Sequence, residues 1–431
     1  MPNDPLFQNL LAAISDLRAV DCHEHLLPEA NHLAHPLDAL SLFHNYAGGD
    51  LTAVGCPSDL LRRILDAEAG TIAERWEWLA PYWPRVRNGS YARMWERTVR
   101  GLLGAPRLDP AGLEEASARL QEWLRPGWYR EVLRERCNLE VSLLDRDCNQ
   151  GPGCTLAETD GDLFRPVVRT EDYLDVVNRA GLRKLEEHCG RSLHTAEDLA
   201  AAQGAFLTES KRGGAVALKL GFAYRRTLEV ANPTTHEAEA CFRRLTAGRG
   251  EGIGYDEARP LQDWLIHHSL RAAEELDLTV VIHTGLQAGG MNLIANSRPT
   301  LLSDLFLEYP RVRFDLFHAG FPYVRECGVL AKYFPNVWAD LAWVHAISQA
   351  GTQQFLLDWL DYVPAGKING FGADVWDVEM VWGALSLARE TLPTVLAERV
   401  RRGHDTEEQA VDLARVMLRE APAECYRLGL G

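Results

Sequence analysis

Short apolar runs that end on polar residues recur along this chain, with helical stretches between them. Eight can be picked out: Leu17 to Asp21, leading into His23; Leu139 to Leu144, ending at Asp145; Phe164 to Val168, ending at Arg169; Ala215 to Leu220; Leu278 to Ile282, ending at His283; Val312 to Phe317, ending at His318; Val337 to Leu341; and Ile368 to Phe371, leading to Asp374. Thr170 to Cys189, Thr195 to Lys211 and Tyr255 to Leu276 carry an amphipathic helical pattern. In the last of these, Trp264, Leu265, Leu270 and Ala273 fall on one side. Short buried strands alternating with helices predict a parallel sheet, and eight such units predict a closed α/β fold, a (β/α)8 TIM-like barrel. Residues 1–431 are read as one barrel domain.

More than a hundred residues separate the first strand from the second, so a largely helical insertion is expected at about 27–135. It is rich in Trp and Arg, as in Glu74-Arg75-Trp76-Glu77-Trp78 and Ser90-Tyr91-Ala92-Arg93-Met94-Trp95. Loops that follow barrel strands build the active-site face, so this insertion is placed to form a lid or substrate wall; a self-packed subdomain or an oligomer contact is the plainer reading. Ala247 to Gly254 is Gly-rich without phosphate-loop spacing and reads as a flexible loop.

Composition narrows the partners. The formal charge of −16 opposes a nucleic-acid backbone or an anionic membrane, leaving a small-molecule substrate as the expected partner, with a homo-oligomer as the prior for assembly. Nine cysteines without any C-x-x-C pair read as reduced thiols. Met1 to Pro5 shows no signal-peptide pattern and no long uncharged apolar stretch occurs, so a cytoplasmic location is expected. No G-x-G-x-x-G follows a strand, which disfavours a nicotinamide enzyme.

The chemistry begins at Val20-Asp21-Cys22-His23-Glu24-His25. In an extended chain residues i and i+2 face the same way, so His23 and His25 project together from the end of the first strand. His283, His318 and Asp374 fall at the ends of three later strands, and a barrel brings those ends around one axis. Glu24 alternates away, towards a partner behind the histidines. Cys22 reads as a small buried filler, and His267-His268 as a helix-surface pair. His44 and His345 are set aside for want of a strand-end position.

With these residues in view, the sequence resembles the amidohydrolase superfamily, in the branch of amidohydrolase-related proteins close to uronate isomerases. The motifs are Asp21 to His25, Ile282-His283-Thr284-Gly285, Phe317 to Tyr323, Phe334 to Asp340 and Gly370 to Asp374, with Ala410 to Leu428 similar to the family's closing helix. The resemblance implies a divalent metal, expected as one zinc ion, on His23, His25 and Asp374. Asp374 would also be the general base, His283 a ligand or a neighbour of the metal, and His318 a second-metal ligand or a substrate-polarising group. Two-metal members use a carboxylated lysine or a glutamate at the end of strand four. Lys219 stands there, and we read it as substrate-binding or structural beside a single metal. Tyr224 and Arg225 follow it as candidate binders of a substrate carboxylate.

The implied reaction is hydrolysis of an amide, ester or lactone in a small acidic or sugar-derived molecule. Uronic acid isomerisation and non-oxidative decarboxylation are the alternatives on the same scaffold. A catalytically idle barrel is disfavoured, because His23, His25 and Asp374 are all present.

Overall fold

A computed structural model describes residues 4–145, 160–247, 252–289 and 292–430. Eight strands form one parallel sheet in chain order: β1 (Ala19–Glu24), β2 (Leu139–Leu144), β3 (Phe164–Arg169), β4 (Ala217–Leu220), β5 (Thr279–His283), β6 (Phe314–Phe317), β7 (Val337–Asp340) and β8 (Ile368–Asn369). Helices join β1 to β2 and each strand from β3 to β7 to the next, as parallel neighbours require. The fold is the TIM-like barrel that the eight runs predict.

β8 has only two residues, and the barrel closes through the segment after it. Cys22 N donates to Phe371 O (3.0 Å), Asp374 N to His23 O (2.9 Å) and His25 N to Val375 O (3.1 Å). Gly372 permits this approach, since a Cβ there would lie 2.6 Å from Ala342 Cβ. The far end of the barrel is sealed by the C-terminal segment, where Cys425, Tyr426 and Leu428 pack against Val20, Val141, Val281 and Trp338.

Some boundaries differ from the sequence reading. β1 runs on to Glu24 with all six residues buried, because Asp21 and Glu24 accept from Ala373 N and Val375 N of the closing segment while His23 lines the cavity. The helix expected over Thr170 to Cys189 is two, Glu171–Leu174 and Arg179–Cys189. The second restarts where the Asn178 side chain accepts from Gly181 N (2.8 Å). His267 is not a surface residue: it is buried between the Tyr309 hydroxyl (2.7 Å) and Ala231 O (3.0 Å). The Gly-rich stretch falls partly outside the described residues.

Between β1 and β2 the chain is helical, from Glu29–Ala34 through Glu131–Arg136, with no strand. This insertion has its own aromatic core, with Trp95 against Phe43 (centroids 5.0 Å) and Trp83 (5.6 Å). It also leans on the long helix Val378–Arg401 after β8, where Arg97 pairs with Glu390 at 2.6 Å. Among the described residues no helix is long and apolar enough to cross a membrane.

Candidate metal centre

The five strand-end residues singled out from the sequence meet at one point. His23 Nε2 and His25 Nε2 lie 3.5 and 3.3 Å from Asp374 Oδ1, and His318 Nε2 lies 3.1 Å from His283 Nδ1. The closing seam explains the first group, since Asp374 N is bonded directly to the His23 carbonyl. β5 and β6 pair side by side with His283 opposite Phe317, which sets His283 next to His318.

Backbone carbonyls fix the tautomers, because a carbonyl can only accept. His318 Nδ1–H donates to Ala342 O (3.0 Å), His283 Nε2–H to Leu286 O (2.9 Å) and His25 Nδ1–H to Asp145 O (2.5 Å). In a neutral ring the other nitrogen then turns a lone pair inward. His318 Nε2 and His283 Nδ1 thus face each other as two acceptors, and His25 Nε2 faces the Asp374 carboxylate, to which it donates when the ring is protonated. Such an arrangement is repulsive unless a cation lies among the atoms. Imidazoles anchored by backbone carbonyls and joined by a carboxylate are a donor set suited to a divalent transition metal.

Electrostatics agree. Burial holds His23 and His283 well below the usual imidazole range, helped by Lys219 and neighbouring histidines, and lowers His318 to about 4. Burial pulls Asp374 upwards, but the His25 hydrogen bond and the surrounding positive groups outweigh it and hold the carboxyl at about 2. His25 alone is raised: burial opposes its charge, and the Asp374 hydrogen bond with nearby Asp145 prevails.

Strain gathers here as well. Of the eight non-glycine residues with positive φ among the described residues, five belong to this centre and its rim: Tyr46, His318, Ala319, Trp343 and Asp374. Such conformations cost roughly 1–3 kcal/mol each and persist where surrounding structure enforces them.

Above the centre opens a cavity of about 680 Å³. One wall is charged, with Lys219, Arg169 and Arg225 set among Glu171, Asp172 and Asp175. Lys219, buried at 1% exposure, sets Nζ 3.8 Å over the Phe317 ring without a hydrogen-bond partner among the described residues, and burial lowers it to about 8. Arg169 beside it is gripped by Asp145, with Nε to Oδ1 at 2.7 Å and Nη2 to Oδ2 at 2.8 Å. Glu171 also lines this side; burial raises it to about 7 against the pull of Arg169. The other wall is aromatic: Tyr46 lies 4.5 Å from Trp343 and 5.1 Å from Trp376, and Trp376 stacks on His25 at 5.9 Å.

Tyr224 lines the cavity with its ring 4.6 Å from His283. Arg225 sits at the rim, more than half exposed and 3.7 Å from Asp175. Glu24 accepts from Val375 N (3.1 Å) behind the metal centre, and burial with neighbouring Asp21 pushes its carboxyl well up. Burial among Asp340, Asp315 and Asp21 pushes the Cys22 thiol well up, so it is no nucleophile. His345 is buried and donates to Gly370 O (3.1 Å), outside the cavity.

Sequence reasoning passed over Arg169, Glu171, Tyr46, Trp343 and Trp376. Arg169 carried the same signal as His283, a polar residue closing an apolar run. Tyr46 and Trp343 carried none, since positive φ at an aromatic residue has no sequence signature.

A family model described as Amidohydrolase matches residues 236–391. Protein fluG of Emericella nidulans is 30% identical over 222 residues, 49% of this chain; the match covers only 26% of that protein, so the chain spans about a quarter of this relative. A uronate isomerase from Thermotoga maritima superposes with TM-score 0.81 at 17% identity, covering 98% of each chain. A glucuronate isomerase from Caulobacter crescentus superposes with TM-score 0.79 at 18% identity, covering 100% of this chain and 96% of its own. At these identities the likeness is one of fold, and it extends over the helical insertion.

Proposed function

Taking the chain as a member of the amidohydrolase superfamily, on its motifs, barrel and matched segment, we propose that it is a metal-dependent hydrolase of a small, carboxylate-bearing amide, ester or lactone. The observation that carries this reading is the convergence of four imidazoles on an ionised Asp374 at the floor of a cavity that also holds Lys219 and Arg169. His23, His25, His283 and Asp374 would hold one zinc ion, with His318 beside it. A divalent ion there supplies carbonyl polarisation and acidifies bound water towards pH 7.

The protein's own groups do the rest. Asp374, ionised at neutral pH, takes a proton from the attacking water as general base. Lys219 and Arg169 present positive charge to the substrate's carboxylate. Tyr46, Trp343 and Trp376 form an aromatic wall of tilted rings that takes up the substrate's ring or chain and excludes water.

A second reading, isomerisation of a uronic acid, draws support from the whole-chain likeness to the two isomerases, insertion included. Asp374 would then carry a proton between neighbouring carbons. Mass spectrometry of products from a panel of N-acyl amino acids, lactones and uronates separates the two. Hydrolysis adds the mass of one water; isomerisation leaves the mass unchanged. A uronate converted without mass change, with the amides and lactones untouched, would replace the hydrolytic reading by the second.

A further inference from the structure

The loop that carries Asp374 is tied to the helical insertion by three consecutive residues, His44, Asn45 and Tyr46, which meet Asp374, Trp376 and Asp377. His44 Nε2 meets Asp377 Oδ2 at 2.5 Å, and Asn45 Nδ2 donates to the same oxygen at 2.8 Å. Trp376 N donates to Asn45 Oδ1 at 3.0 Å, and the Tyr46 hydroxyl donates to the Asp374 carbonyl. Three residues of the insertion thus engage three positions of the loop, across more than three hundred residues of sequence.

The local chain is bent out of regular geometry to make this fit. Asn45 (ψ 96°) and Tyr46 (φ 64°) interrupt a helix, and Asp374 itself has φ 58°. Asp377 is the N-cap residue of the helix Val378–Arg401, yet its side chain caps nothing; it is spent on His44 and Asn45. An aspartate at that position ordinarily serves the helix. His32 backs the joint from behind, with Nδ1 3.7 Å from Asp377 Oδ1 and Nε2 3.1 Å from Glu379 Oε1, which also accepts from Trp128 Nε1 at 2.6 Å.

We propose that Asn45, Tyr46 and Asp377 are positioning residues for the metal ligand Asp374, so that the barrel alone does not set the geometry of its own centre. This inference rests on the metal-site reading above. Asp374 joins the barrel through its backbone N–H to the His23 carbonyl, and the strap fixes its carbonyl end through the Tyr46 hydroxyl. The carboxylate between them is therefore oriented from both sides. Groups that hold ligands in this way typically govern metal affinity by 10–100-fold.

The test uses metal alone. Zinc affinity is measured by chelator competition on the full chain, for wild type and for Asp377→Asn, Asn45→Ala and Tyr46→Phe, together with the visible spectrum of each protein loaded with cobalt(II). The expectation is zinc binding weakened about 10–100-fold in the strap variants, with cobalt bands shifted in position or intensity at unchanged stoichiometry. Wild-type affinity and spectrum in variants that remain folded would overturn the strap. If Asp377→Asn fails to fold, Tyr46→Phe, which removes one hydroxyl, decides alone. Wild-type protein that binds neither metal would instead sink the metal-site reading, a distinct failure.

Discussion

Two groups of histidine and carboxylate flank the loop after β8, and they differ in how their charges balance. In the candidate centre His23, His25, His283 and His318 gather around Asp374, while the neighbouring Asp145 is taken up by Arg169 and Lys219 lies close by. Burial there goes largely unopposed, and three of the four rings are held neutral. In the strap His32 and His44 face two carboxylates, Asp377 and Glu379. Burial again works against charge, but Glu379 and Asp377 outweigh it at His32, Asp377 outweighs it at His44, and both rings are raised. The same residue types thus yield inward lone pairs in one place and charged donors in the other. The balance of nearby cations and carboxylates decides which: Lys219 and Arg169 oppose ring charge in the first group and, among the described residues, no cation does so in the second.

The contrast can be broken from either side. The largest effect is expected from His23→Ala combined with Asp374→Asn, which removes two ligands: about one equivalent of zinc in wild type should fall to none by mass spectrometry of the metal content. Next comes Glu379→Gln, which leaves His32 and Trp128 facing an altered partner at a fully buried position. Breaking a buried ion pair costs roughly 3–5 kcal/mol, to be read from urea denaturation, with zinc stoichiometry unchanged.

The two groups should also separate by pH. His32 and His44 bind protons more tightly folded than unfolded, so their contribution is complete below the ordinary value of 6.5 and is lost as pH rises through their raised folded values. His318 is the reverse. Its folded value of about 4 makes the metal-free protein lose stability as pH falls from 6.5 towards 4. Metal-free denaturation curves across pH 4–9 should therefore decline at both ends, and Glu379→Gln should flatten the alkaline decline alone. His44→Gln is expected to cost under about 1 kcal/mol, because that ring is partly exposed. Lys219→Ala should leave one zinc per chain; a fall from two to one would mean that Lys219 helps hold a second ion.

The convergence of the histidines on Asp374 was legible because barrel geometry turns a one-dimensional pattern into a meeting point: a polar residue closing each apolar run marks the mouth. His23, His283, His318 and Asp374 all obey that rule, and Arg169 obeys it too. The aromatic wall and the strap follow no such rule. His44, Asn45 and Tyr46 lie in a helix broken at two residues, and their partners are set by how the insertion folds back on the Val378–Arg401 helix. His267 misled because a helical pattern does not tell which polar residue on an apolar-rich helix finds buried partners; Tyr309 and Ala231 supply them from other elements. β8 was found by its apolar run, but closure falls to residues 371–375, an irregular segment with no strand signature.

That seam has a consequence for how the molecule is made. His23 and His25 of β1 leave the ribosome some 350 residues ahead of Asp374 and the segment that closes the barrel. His283 and His318 follow them, but until residues 371–375 are made the seam that draws Asp374 to β1 cannot form. Tight capture of the proposed metal would therefore wait for the last strand, and loading the site and completing the barrel would become a single late event.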